Sequence, residues 1–118
     1  MRILIVDDVP GICEAIEIYL KIFKYDTFTA NTTKQAVGIC KYIEIDCIVT
    51  DLRLKKDDQG YDLIEKILAN GYKGKIVTMT DYDDEKEKIS EEIKNRIDLE
   101  LTKPFLPSTL GNWIKENL

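Results

Sequence analysis

The chain has 118 residues, of which 44% are hydrophobic and 33% charged, so it is long and apolar enough for one globular domain and is not a disordered chain. Lysine and arginine number 17 against 22 acidic residues, and a net charge of −5 argues against binding along a nucleic-acid backbone. There is no histidine, and the three cysteines form no C-x-x-C pair, which excludes the usual zinc sites and imidazole catalysis.

Short apolar runs alternate with amphipathic helical patterns along the whole chain. In chain order the pattern predicts a strand at residues 3–6, a helix at 12–23, a strand at 27–30, a helix at 32–43, a strand at 47–50, a helix at 63–68, a strand at 76–79, a charged helix at 84–94, a strand at 99–102 and a helix at 110–118. This alternation predicts an α/β fold, a (βα)5 doubly wound parallel five-stranded sheet with helices on both faces. We expect residues 1–118 to form one domain.

Polar residues stand where the apolar strands stop. They are Asp7 and Asp8 after the first strand, Asp51 after the third, Thr80 after the fourth and Lys103 after the fifth. With the strand order 2-1-3-4-5, the three carboxylates converge at the carboxyl edge of the sheet. Their repulsion calls for a cation, and oxygen ligands favour Mg²⁺ or Mn²⁺. A hydroxyl and an ammonium group nearby would hold an anion, which describes a phosphoryl site with a carboxylate nucleophile.

Each of these residues also has a simpler explanation. Asp7 and Asp8 could complement the dipole of the first helix, and Asp51 could cap a strand end. Thr80 could be a turn hydroxyl and Lys103 one of many surface lysines. Their coincidence at one sheet edge favours the functional interpretation.

The sequence resembles the receiver domains of bacterial two-component response regulators, of the chemotaxis-protein type with a flavodoxin-like fold. The motifs are ILIVDD, IVTDLRL, the threonine that ends the fourth strand, and LTKPF, spread over the whole chain. The resemblance implies that Asp51 is the phosphoacceptor for a sensor histidine kinase or a phosphotransfer protein. It also implies that Thr80 and Lys103 contact the phosphoryl group, and that the Lys103-Pro104 peptide bond is cis.

The same resemblance implies a Mg²⁺ site. Asp8 and Asp51 would bind the ion, Asp7 would do so directly or through a water, and the backbone carbonyl of Arg53 would be a further ligand. The domain would signal by conformational change to a downstream effector or a fused output domain, without direct contact to nucleic acid or membrane. It would be a cytoplasmic signalling domain and not an enzyme, beyond slow self-dephosphorylation.

The sequence departs from the family pattern in four places. Asp81 follows the switch threonine where the family has Ala or Gly; its carboxylate would narrow access and repel the phosphoryl group, or turn outward and do neither. Glu100 replaces the switch aromatic, so the usual coupling of threonine to a flipping ring is not expected. Lys55 replaces a loop proline and Gly60 comes one residue late, while residues 96–98 replace a Gly-Ala pair.

Two alternatives stay open. A receiver-like interaction module that works without phosphorylation is slightly favoured by Asp81 and Glu100, but the intact set of site residues counts against it; these are Asp7, Asp8, Asp51, Thr80 and Lys103. A Mg²⁺-dependent phosphatase with Asp51 as nucleophile, similar to the haloacid dehalogenases, is disfavoured because Arg53 stands where their general acid would be, and 118 residues leave no cap domain.

Overall fold

The structure is a computed structural model, and it describes residues 1–52, 60–81 and 90–118. Strands and helices alternate through these residues. The strands are β1 (Arg2–Val6), β2 (Asp26–Ala30), β3 (Cys47–Asp51), β4 (Lys75–Asp81) and β5 (Leu99–Lys103). The helices are α1 (Pro10–Ile22), α2 (Thr33–Tyr42), α3 (Gly60–Ala69), α4 (Glu91–Lys94) and α5 (Pro107–Asn117). The predicted alternation of five strands and five helices is confirmed.

All strand pairs in the sheet are parallel, and the strand order is β2-β1-β3-β4-β5, as predicted. In this order β2 lies on one side of β1, and β3 lies on the other side of β1. The order therefore reverses between β1 and β3, and in open α/β sheets ligands bind in the crevice beside this switch point.

The pleat of the sheet divides the core into two clusters, one on each face. The cluster under α2 and α3 contains, among others, Leu4, Val6, Ile48, Leu63, Ile64, Ile67 and Ile76. The cluster under α1 and α5 contains Ile3, Ile5, Cys13, Ile16, Leu20, Cys47, Val49, Val77, Met79, Leu101, Leu110 and Ile114. The run from residue 3 to residue 6 is apolar throughout because β1 is buried on both faces.

The helix ends follow local capping chemistry. The Thr32 hydroxyl, at the N-cap of α2, accepts a hydrogen bond from the Gln35 amide (3.1 Å). The Gln35 side chain accepts a second hydrogen bond from the amide of Asn31 (2.9 Å), the residue before the N-cap. Gly71, with φ of 89°, lies two residues beyond α3 in a conformation that glycine adopts without strain. Pro107 starts α5, because proline is favoured in the first turn of a helix.

The charged helix predicted at 84–94 falls largely on residues outside the described part of the chain. Its last turn is described as α4, in which the Ser90 hydroxyl accepts a hydrogen bond from the Ile93 amide (3.3 Å). No helix within residues 1–52, 60–81 and 90–118 is both long enough and apolar enough to cross a membrane.

The buried thiol of Cys47 predicts a loss of stability at alkaline pH. Burial, and then the charges of Asp98 and Asp46, raise its pKa from 9.0 to about 12. The thiol therefore ionises first in the unfolded chain, so its stabilising effect is complete below pH 9 and is lost between about pH 9 and pH 12. A pKa shift of about three units corresponds to a loss of at most about 4 kcal/mol in the free energy of unfolding.

A Cys47→Val variant should lose less stability than the wild type across that pH window. In urea unfolding, the free energy of unfolding of the wild type should fall by about 2–3 kcal/mol more than that of the variant when the pH is raised from 8 to 11. Equal losses in the two proteins would contradict the prediction.

Candidate functional site

Parallel pairing of β1 with β3 brings two carboxylates together at the switch point. The register pairs Ile5 with Val49, so Asp7 and Asp51, each two residues further on, lie side by side on the sheet face that packs against α1 and α5. Asp7 is 1% exposed and Asp51 is 5% exposed. Such buried carboxylates require compensation by a hydrogen bond or a cation.

Lys103 supplies part of that compensation. Its Nζ lies 2.8 Å from Asp7 Oδ2 and 2.9 Å from Asp51 Oδ2, so one ammonium group bridges the two carboxylates. Burial lowers the pKa of this lysine, but its hydrogen bonds to Asp7 and Asp51 and their charges outweigh burial and raise the pKa above its ordinary value. The ammonium therefore stays charged throughout the neutral pH range. The peptide bond after Lys103 is cis, as the resemblance implied.

The second oxygen of Asp7 is used by the start of α1. The Val9 amide donates a hydrogen bond to Asp7 Oδ1 (2.9 Å), and Val9, the N-cap residue, provides no side-chain cap of its own. The Cys13 thiol, one turn into α1, donates to the main-chain oxygen of Asp7 (3.5 Å). Burial, and then the Asp7 charge, raise the pKa of Cys13 to about 11, so this thiol is neutral and is not a nucleophile at neutral pH.

These supports of Asp7 were missed by the sequence reasoning. Nothing in a valine or a lone cysteine of a helical pattern indicates contact with a polar site. The one available signal was the position of Pro10, which starts α1 so close to Asp7 that the amide of the N-cap residue Val9 reaches its carboxylate.

Asp8 completes a group of three carboxylates. One oxygen each from Asp7, Asp8 and Asp51 lie within 4.8 Å of one another, and Asp8 is half-buried. Among residues 1–52, 60–81 and 90–118, these three carboxylates lie beside one ammonium group, that of Lys103, and their donor atoms are all carboxylate oxygens. This donor set fits a hard divalent cation such as Mg²⁺ or Mn²⁺. The Arg53 carbonyl, predicted as a further ligand, lies outside the described residues, as does Lys55.

Thr80 lies at the same edge of the sheet. Asp51 pairs in register with Met79, and Thr80 is the next residue, half-buried, on the other face of β4. The structure therefore brings Asp7, Asp8, Asp51, Thr80 and Lys103 to one edge. Glu100, at the position of the family's aromatic residue, is exposed on β5.

The comparisons with known proteins agree with this arrangement. The response regulator receiver domain profile matches residues 3–115. The regulatory protein VanR of Enterococcus faecium is 33% identical over 99% of this chain and 49% of its own length. The chain spans about half or less of the length of the curated relatives that it matches.

Solved structures show the same fold. A two-component response regulator from Clostridium difficile is 26% identical, with a TM-score of 0.84 over 98% of this chain and 93% of its own. A CheY-like receiver domain protein from Methanospirillum hungatei is 24% identical, with a TM-score of 0.85 over 95% of this chain and 89% of its own. Together with the profile match over nearly the whole sequence, these likenesses mean that the chain belongs to the receiver domain family of two-component response regulators.

Proposed function

We propose that residues 1–118 form a phosphoacceptor domain that takes a phosphoryl group onto Asp51 in a Mg²⁺-dependent reaction. The donor would be the phosphohistidine of a sensor histidine kinase or a phosphotransfer protein. The observation that supports this most is the bond of Asp51 to the Lys103 ammonium (2.9 Å) beside two further carboxylates.

The transfer needs no general base, which suits a chain without histidine. A carboxylate oxygen of Asp51 attacks the phosphorus atom, the P–O bond forms as the P–N bond breaks, and the histidine nitrogen keeps the electron pair. The Lys103 ammonium, already at the carboxylate, balances charge on the phosphoryl oxygens, and the Thr80 hydroxyl donates a hydrogen bond to one of them.

Asp7, Asp8, Asp51 and the Arg53 carbonyl are the proposed Mg²⁺ ligands. When bound, the ion neutralises the negative charge of the transferring group. This chain's own contribution is to hold the ligands together before the ion arrives, since Lys103 and the Val9 amide already fix both oxygens of Asp7.

The product is a signal and not a released metabolite. We propose that the domain acts in the cytoplasm, passes the phosphorylated state to a downstream effector or a fused output domain by conformational change, and catalyses at most its own slow dephosphorylation. No direct contact with nucleic acid or membrane is proposed for it.

The test is incubation with acetyl phosphate and Mg²⁺, followed by intact mass measurement. We expect one phosphoryl adduct that fails to form in EDTA and that hydroxylamine releases, as expected of an acyl phosphate. An adduct that forms equally in EDTA, or that resists hydroxylamine, would overturn the proposal.

A second candidate is an interaction module that signals without phosphorylation. It is favoured by the exposed carboxylates of Asp81 and Glu100, at the positions where a phosphorylation-dependent switch would be expected. Absence of any adduct under the same conditions would favour this candidate.

A further inference from the structure

Asp81 is the last residue of β4 and lies opposite the lysine of the site. The parallel pairing of β4 with β5 extends to its final pair, Asp81 with Lys103. Neighbouring strands are about 4.8 Å apart, so the two residues are close neighbours across the sheet. Asp81 itself is exposed.

The pleat places Asp81 on the same face as the reacting group. Met79 and Leu101 belong to the cluster under α1 and α5, and Asp81 and Lys103 each follow two residues later. Asp51 is the register partner of Met79 on that face. Asp81 therefore lies at the outer rim of the site, one pleat beyond Asp51.

This position adds a further negative charge to the site. In the part of the chain that the structure describes, Asp7, Asp8 and Asp51 are gathered there beside the Lys103 ammonium. A fixed negative charge at the rim attracts an arriving cation and repels an arriving phosphoryl group, and neither effect requires direct contact.

We infer that Asp81 is a specificity-determining residue of the proposed phosphoacceptor site: it strengthens Mg²⁺ binding and slows phosphorylation, most of all by donors with high negative charge. The inference rests on the proposed function. Of the two expectations for Asp81 from the sequence, we adopt the one in which it repels the phosphoryl group. The carboxylate acts on the site through its charge, so the repulsion does not require that it narrow the entrance.

The test is the Asp81→Asn variant, which removes the charge and keeps the shape. We expect the Mg²⁺ dissociation constant, measured by calorimetry, to rise about twofold to fivefold. At saturating Mg²⁺ the rate of adduct formation with acetyl phosphate should rise about threefold to tenfold. Phosphoramidate, which carries less negative charge at neutral pH, should gain less, and added salt should reduce both gains.

Two further variants separate charge from structure. Asp81→Glu keeps the charge and should bind Mg²⁺ and react with acetyl phosphate as the wild type does. Asp26→Asn removes one exposed charge at the amino end of β2, the opposite edge of the sheet, and should change neither quantity. If Asp81 had a purely structural role, the Asp81→Asn variant would bind Mg²⁺ more weakly and would also be phosphorylated more slowly.

The outcomes also distinguish this inference from the proposed function. If the wild type forms no adduct, the proposed function fails. If the wild type reacts and Asp81→Asn reacts at the same rate, the inference about Asp81 is overturned. It is also overturned if Asp81→Asn shows both weaker Mg²⁺ binding and slower phosphorylation, or both tighter binding and faster phosphorylation.

Discussion

Replacement of Asp51 by asparagine should abolish the Mg²⁺-dependent phosphoryl adduct, because an amide has no carboxylate oxygen that can form an acyl phosphate. The amide oxygen can still accept the hydrogen bond from Lys103, so we expect the fold to be kept. In EDTA the variant should unfold within about 1 kcal/mol of the wild type, since it also relieves repulsion within the carboxylate group. Intact mass and urea unfolding measure the two effects.

The matched control is Asp26→Asn, which should be phosphorylated at the wild-type rate. An adduct on Asp51→Asn at wild-type yield would contradict the assignment of the phosphoacceptor. Peptide mapping would then locate the true acceptor, for which Asp7 and Asp8 are the nearest carboxylates.

The second large effect concerns Lys103. Its replacement by methionine keeps the length of the side chain but leaves Asp7 and Asp51 without their shared ammonium, and their side chains are only 0% and 8% exposed. Removing one partner of a buried ionic group is strongly destabilising, and we expect a loss of about 3 kcal/mol in EDTA. That is a large part of the stability of a typical domain.

Mg²⁺ should restore part of this stability, because a cation among the carboxylates replaces the missing charge and binds only the folded state. The double variant Asp7→Asn/Lys103→Met should be more stable than Lys103→Met alone, which a double-mutant cycle measures.

The control for Lys103 is Lys75→Met, the same substitution at an exposed ion pair. Lys75 lies 3.8 Å from Asp98, and the side chains are 43% and 32% exposed. We expect this variant to change the unfolding free energy by less than about 1 kcal/mol. Equal losses in the two methionine variants would mean that the Lys103 bridge contributes no more than a surface contact.

Much of the fold was predictable because its strands are short apolar runs buried on both faces. The prediction for residues 3–6 needed nothing beyond the local sequence, and it lies within β1. The end of β4 could not be predicted in this way. Asp81 belongs to the strand because it pairs with Lys103, and two charged residues give no signal of a ladder between strands.

The candidate site was predictable at the level of residue types and strand ends, although the role of each residue stays a prediction. The partner of Lys103 was not predictable. A long side chain can reach several groups, and its bonds to Asp7 and Asp51 join residues that are 96 and 52 positions away in the sequence. Cys13 is buried in the core, but its contact with the Asp7 backbone depends on where α1 begins, which the local sequence does not fix.

The bond from the Val9 amide to Asp7 gives the molecule an internal spectroscopic reporter. A hydrogen bond to a charged acceptor is shorter and stronger than one to a neutral acceptor, and the amide proton resonance responds to that strength. Here the acceptor is a carboxylate of the candidate metal site. Any ion or phosphoryl group that withdraws electron density from the Asp7 carboxylate would shift the resonance of the Val9 amide proton. Because Val9 is also the N-cap of α1, this one hydrogen bond connects the carboxylate at the sheet edge to the start of that helix.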